Sequence, residues 1–141
     1  MNKFNFFKNK IGIIGLGYVG LPLAVEFSKK FQVVGYDLDV KKIKNISKKK
    51  NISEIDKKNY HRLKDIKFTY DKNHLKDCNI FIITVPTPVH KNNKPDLTLL
   101  IKATTDVAKI IKNGDLVIFE STVYPGTTED ICIPILEKIS K

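Results

Sequence analysis

Arginine is nearly missing from this chain: Arg62 stands alone among 25 basic residues. Arginine is the usual reader of base edges and the bidentate phosphate ligand, so the net charge of +10 does not point to nucleic acid. Eight of the basic residues fall in DVKKIKNISKKKNISEIDKK, between Lys41 and Lys58, and are read as a solvated lysine-rich face. Tryptophan is absent and cysteine occurs twice, at Cys78 and Cys132, with no CxxC spacing. With His61, His74 and His90 scattered, neither a disulfide nor a metal site is expected, only free buried thiols. No apolar run approaches the roughly 18 residues of a transmembrane helix. The opening MNKFNFFKNK has too short an apolar core for a signal peptide, so the expected location is cytoplasmic, with residues 1–9 as a ragged lead-in.

What is present is a rhythm of short apolar runs alternating with helical periods. Strands are predicted at Ile11 to Ile14, Gln32 to Asp37, Ile66 to Tyr70, Asn79 to Val85 and Leu116 to Glu120. The fourth, NIFIITV, is unbroken and stopped by Pro86 and Pro88. Helices are expected from Tyr18 to Lys30, after Asp39 through Ile46, over Asn51 to Lys64, from Leu97 to Lys112, and after Thr127 or Thr128. Asp39 and Asp96 serve as N-caps, Ser53 with Asp56 gives a capping-like pattern, and Asn113-Gly114 is a C-cap pair. Two prolines conflict with this reading. Pro22 requires its helix to begin late or to kink, and Pro134 kinks the last one. Residues 88–96 form an exposed loop.

Strands without polar alternation are covered on both faces. Strand and helix in turn therefore give an α/β fold, a Rossmann-like doubly wound parallel sheet with helices on both faces. Ligands of such sheets bind beyond the carboxyl ends of the strands, where the winding reverses. The first strand ends there in GLGYVG: Gly15, Gly17 and Gly20 form GxGxxG between strand and helix. Gly15 permits the turn, Gly17 lets a pyrophosphate approach, and Gly20 lets the helix lie on the sheet. The free N–H groups near Tyr18 and Val19 face the phosphates at the positive end of the helix dipole. Asp37, about 20 residues on, closes the second strand where a carboxylate takes the adenosine ribose hydroxyls. Its charge repels a 2′-phosphate, so NAD is favoured over NADP. Capping of the next helix is the plainer role for Asp37, but Asp39 is available for that.

GLGYVGLPLA, YDLD, IITVPTP and ESTVYPGTTE, in this order and spacing, resemble the N-terminal NAD-binding domain of the UDP-glucose/GDP-mannose dehydrogenase family. They look closest to its branch that oxidises UDP-N-acetylhexosamines. The resemblance runs from about Lys10 to the end, so residues 10–141 are expected to be that domain. It implies NAD as cofactor and a UDP-sugar whose C6 alcohol is oxidised in two steps to a carboxylate. It adds Lys42 beside Asp37 at the adenosine ribose, and Val85, Pro86 and Thr87 along the cofactor. The resemblance also implies that Ser121 and Thr122 sit by the nicotinamide ribose, with the Thr122 hydroxyl near the reacting carbon or a catalytic water. For Thr127 and Thr128 turn and capping chemistry suffices.

The family's cysteine nucleophile, general-acid lysine and carboxylate belong to downstream motifs that do not occur here. Neither Cys78 nor Cys132 has their glycine-rich setting. The lysine-rich stretch after Asp37 also lacks a glycine that many relatives have. The expectation is thus a fragment or truncated piece, inactive alone, of a UDP-sugar dehydrogenase making uronic acid for polysaccharide. The full-length enzyme is expected to be a homo-oligomer, with neither nucleic acid nor membrane as partner. The alternatives are a free-standing dinucleotide-binding or interaction module without catalysis, a lysine-driven nucleic-acid binder, and, from fold analogy alone, a methyltransferase.

Overall fold

The computed structural model describes residues 9–90 and 94–140. Five strands, β1 (Lys10–Ile14), β2 (Gln32–Tyr36), β3 (Ile66–Thr69), β4 (Ile80–Ile83) and β5 (Leu116–Phe119), form one sheet in the order β3-β2-β1-β4-β5. All four pairings are parallel, with Ile11 of β1 opposite both Val33 and Ile80. The winding runs outward from β1 through β2 to β3, then returns to the other side of β1 for β4 and β5. The reversal lies between β1 and β4.

Side chains of one strand separate onto two faces because successive Cβ atoms point in opposite directions. Ile11 and Ile13 of β1, Val33 of β2, and Ile80 and Ile82 of β4 face one core. There they meet Leu21, Ala24 and Val25 of α1 (Gly20–Phe27) and Ile43 and Ile46 of α2 (Val40–Ser47). Ile14, Val34, Tyr36, Phe81 and Ile83 face the other core, covered by Leu100, Ala103 and Val107 of α3 (Thr98–Ala108) and by Cys132. Cys132 precedes α4 (Ile133–Ile139), which buries no residue completely and contributes Leu136 to that core from a half-buried position. No helix among the described residues is long and apolar enough to cross a membrane.

Several element boundaries differ from expectation for local reasons. The first helix starts at Gly20, two residues late, which places Pro22 in its first turn; Leu21 and Leu23 bond back to Gly17 and Val19 on either side of it. A missing N–H is tolerated best there. Asn51 to Lys64 is not a helix throughout: only Lys57–Asp65 is helical, as a 3-10 segment. Ser53 does not cap it but bonds the neighbouring Glu54, and Lys49 and Asn51 hold positive φ. Asp39 caps α2 through Oδ1 to Lys41 and Lys42, as its position predicts. Asp96 accepts from Thr98 one turn-residue ahead of α3. That helix ends at Ala108 rather than Lys112, so Asn113-Gly114 is a separate turn, with Gly114 at φ 92°.

Thr127 is buried and donates to the Tyr124 carbonyl, so it locks a turn instead of capping a helix. A π-helical turn over Thr128–Cys132 follows. Its wide loop brings Pro134 to the start of α4, where the kink is absorbed before the regular helix begins. The loop before α3 is closed by a Val89–Pro95 bridge and by the Asp96 N–H to Pro88. Most of the lead-in lies outside the described residues. Asn9 is buried and accepts from Asn79 across 2.7 Å.

Candidate functional site: a cleft at the strand ends

A cleft of about 450 Å³ opens over the carboxyl ends of β1, β2, β4 and β5. Its floor is the turn after β1. Gly15 sits there at φ 97°, in the left-handed region that glycine alone occupies cheaply. The turn is held from two sides. The Thr84 hydroxyl donates to the Gly15 carbonyl at 2.6 Å and to Ile14 at 3.1 Å. From the other side the buried Leu16 N–H donates to Asp37 Oδ2 at 2.9 Å. Beyond that point the N–H groups of Gly17, Tyr18 and Val19 have no hydrogen-bond partner among the described residues. They stand at the start of the eight-residue α1, where partial positive charge accumulates. A Cβ placed on Gly17 meets nothing within 4 Å. Bare amides beside open space suit a diphosphate.

Asp37 is the acid of this cleft, with its side chain 12% exposed. Oδ1 accepts from Asp39 N, and Oδ2 from Leu16 N and from Lys42 Nζ at 3.1 Å. Lys42, in the first turn of α2, thus meets Asp37 directly. A carboxylate has about four acceptor sites; Asp39 N takes one on Oδ1 and Leu16 N with Lys42 Nζ take two on Oδ2, which leaves one on Oδ1 for a ribose hydroxyl.

The far lip comes from the ends of β4 and β5. Ser121 Oγ donates to the Val85 carbonyl at 2.7 Å, and Thr87 Oγ1 donates to the Thr122 carbonyl. These two bonds hold the strand ends together as one wall. The exposed Thr122 hydroxyl has no partner of its own among the described residues. The cleft thereby gathers Gly15, Gly17, Tyr18, Val19, Asp37, Lys42, Val85, Pro86, Thr87, Ser121 and Thr122. Gly20 is the exception, buried beneath the turn. Sequence reasoning missed Thr84, and also Leu38, Leu99, Lys102, Ala103 and Asp106 on the wall opposite the turn. Thr84 was hidden inside a β-branched run. On α3, Leu99, Lys102 and Asp106 lie away from the residues that mark its apolar face in the sequence.

Neither thiol lines the cleft. Burial pushes Cys78 up to about 11, only partly opposed by Lys10. Burial also raises Cys132, against a hydrogen bond with Thr104. A thiol pushed up so far is a poor nucleophile near neutrality. At about pH 8 the native chain is expected to leave Ellman's reagent essentially uncoloured, and both thiols to react once denatured. Rapid reaction of a folded thiol would show that this burial is not maintained in solution. Among the described residues no cluster of His, Cys, Asp or Glu could hold a metal ion.

The profile of the UDP-glucose/GDP-mannose dehydrogenase family, NAD binding domain, matches residues 9–141. The UDP-N-acetyl-D-glucosamine 6-dehydrogenase of Pseudomonas aeruginosa is 48% identical over 132 residues, 93% of this chain and 31% of that protein. The Salmonella typhi enzyme of the same name is 49% identical with the same coverage. The solved UDP-D-ManNAc dehydrogenase of Pyrococcus horikoshii superposes with a TM-score of 0.84 at 40% identity, over 93% of this chain and 32% of that one. A ternary complex of GDP-mannose dehydrogenase from Pseudomonas aeruginosa gives 0.81 at 30%, over 92% and 32%. The chain spans about a third of the length of the curated relatives it matches.

Proposed function

The chain belongs to the UDP-glucose/GDP-mannose dehydrogenase family, as its NAD-binding domain, and on that premise we propose that it carries the cofactor for a UDP-sugar 6-dehydrogenase. The substrate class is a UDP-N-acetylhexosamine or UDP-hexose, oxidised at C6 to the uronic acid in two steps. The observation that supports this best is the convergence in one cleft of an open amide turn, Asp37 and the Ser121–Thr122 lip. NAD supplies the hydride acceptor when bound. The amides of Gly17, Tyr18 and Val19 bind its diphosphate, Asp37 and Lys42 orient the adenosine ribose, and Ser121 with Thr122 positions the nicotinamide ribose. The Thr122 hydroxyl, with no other partner among the described residues, lies at the reacting end.

Residues 10–141 act as one cofactor-binding unit, and the sugar is read by other parts of a longer enzyme. The setting is cytoplasmic polysaccharide synthesis, with a homo-oligomeric holoenzyme and neither nucleic acid nor membrane as partner. Alone, the chain turns over nothing, since its only thiols are buried, protonated and outside the cleft. Calorimetric titration with NAD and NADP tests the reading, alongside an absorbance assay with UDP-N-acetylglucosamine. Saturable binding of NAD, weaker binding of NADP, and no NADH are expected. Absence of NAD binding at millimolar cofactor overturns the cofactor role, and sustained NADH production overturns the inactivity.

A further inference from the structure

The end of the cleft beyond Asp37 holds two polar side chains that each keep an atom no bond among the described residues takes up. Tyr36, the last residue of β2, is 6% exposed, yet its hydroxyl has no hydrogen-bond partner among the described residues. It lines the cleft, as does Asp106 of α3. Asp106 Oδ1 is engaged by Lys72 Nζ at 2.8 Å, while Oδ2 has no partner among the described residues. Among the described residues only Asn9 Nδ2 is a fully buried side-chain polar atom without a partner, so the Tyr36 hydroxyl is not sealed in the core but opens on the cleft, where its donor is free for a ligand.

The chemistry of the pair is specific. Burial, and then the Asp106 charge, push the Tyr36 phenol upward, against Lys72. The phenol therefore stays protonated near neutrality and available as a donor. An ionised carboxylate only accepts. A donor and an acceptor on one cleft, close enough for the Asp106 charge to act on the phenol, match a flat ring that offers a ring nitrogen next to an amino group. Adenine does so on either of its edges, N1 or N7 beside the 6-amino group. The geometry of the cleft points the same way. With the diphosphate at Gly17 and the ribose at Asp37, the base continues past the end of β2 towards α3. There Leu38, Leu99 and Ala103 supply apolar walls for its faces. The Lys72–Asp106 ion pair ties α3 to the segment after β3 and fixes the carboxylate in place.

Resting on the cofactor reading above, we propose that Tyr36 and Asp106 read the edge of the cofactor's base, the carboxylate accepting from the 6-amino group and the phenol donating to the adjacent ring nitrogen. Both are specificity residues at the base, remote from the reacting carbon. Hypoxanthine, with a carbonyl at position 6, sets an oxygen lone pair against the carboxylate and is rejected.

Calorimetric titration of the chain with NAD and with nicotinamide hypoxanthine dinucleotide tests this directly. The unmodified protein is expected to prefer NAD by about tenfold or more, the size of one hydrogen bond to a charged group. Asp106→Asn keeps the shape and can donate to the 6-carbonyl, so the ratio is expected to fall to within about threefold or to invert. A merely structural effect of that substitution weakens both dinucleotides and leaves their ratio unchanged. Tyr36→Phe is expected to weaken NAD about two- to tenfold. Equal binding of the two dinucleotides by the unmodified chain, or an unchanged ratio in Asp106→Asn, overturns the inference while leaving the NAD reading standing. Failure of the unmodified chain to bind NAD removes both.

Discussion

Gly20→Ala is expected to lower the stability of the chain by about 3 kcal/mol or to prevent folding, whereas Gly17→Ala leaves stability within about 0.5 kcal/mol. The two glycines belong to one motif but have opposite reasons for being there. A Cβ on Gly20 falls 1.8 Å from the Gly15 carbonyl and 2.5 Å from the Thr84 hydroxyl. Neither can retreat easily. The carbonyl belongs to a turn at positive φ, and the hydroxyl is the group that bonds that carbonyl. Relief requires α1 to lift from the sheet, which exposes Leu21 and Ala24, both fully buried. Gly17 faces empty space, so a methyl there strains nothing in the free chain. The same methyl occupies ground that a diphosphate needs, and NAD affinity is expected to drop about tenfold or more. Chemical denaturation separates the first effect and calorimetry the second. Equal stability of Gly20→Ala and the unmodified chain would show that α1 does not pack as described.

The contrast marks how far the sequence could be read. Its strands were legible because Ile, Val and Phe run unbroken in NIFIITV, and continuous apolar runs with helical spacers admit few other folds. GxGxxG after the first strand marked that strand's end as the ligand side, and the fold puts the reversal beside it, between β1 and β4. What stayed hidden depended on contacts distant in sequence. Thr84 looks like one more β-branched strand residue, yet its hydroxyl supports the glycine turn 69 residues earlier. Ser121 and Thr87 were assigned to the cofactor by resemblance. Their hydroxyls already bond across 35 or 36 residues, to Thr122 and Val85 respectively as acceptor residues for Thr87 and Ser121. Helix ends were misplaced where irregular turns intervened. Nothing in NISEID distinguishes a helix from the extended lead into a 3-10 segment, and a π-turn before Pro134 has no simple residue code. Tyr36 and Asp106 each resemble ordinary residues of a strand and a helix, and only the fold places them on one cavity.

Asp37→Ala is expected to weaken NAD by about a hundredfold and also to cost about 1–3 kcal/mol of stability, so that two roles of one carboxylate fail together. The stability part comes from the Leu16 N–H, which is buried in the glycine turn and has Asp37 Oδ2 as its acceptor. Without that acceptor the amide is left unsatisfied and the turn loosens on the very side that presents its N–H groups. Asp37→Asn separates the roles. Its carbonyl oxygen can still receive the Leu16 N–H, so stability is expected to recover most of the loss. The negative charge is gone, however, and Lys42 loses its ion pair at 3.1 Å. A freed ammonium beside the ribose attracts a 2′-phosphate where the carboxylate repelled one. The affinity ratio of NADP to NAD is therefore expected to rise in Asp37→Asn by about tenfold or more, and to fall back in the double variant with Lys42→Met. Titrating both cofactors against all three proteins, with melting curves in parallel, decides the matter. If Asp37→Asn keeps the original preference for NAD, cofactor choice does not reside in this charge, and Asp37 is left with its bond to the turn as its whole function.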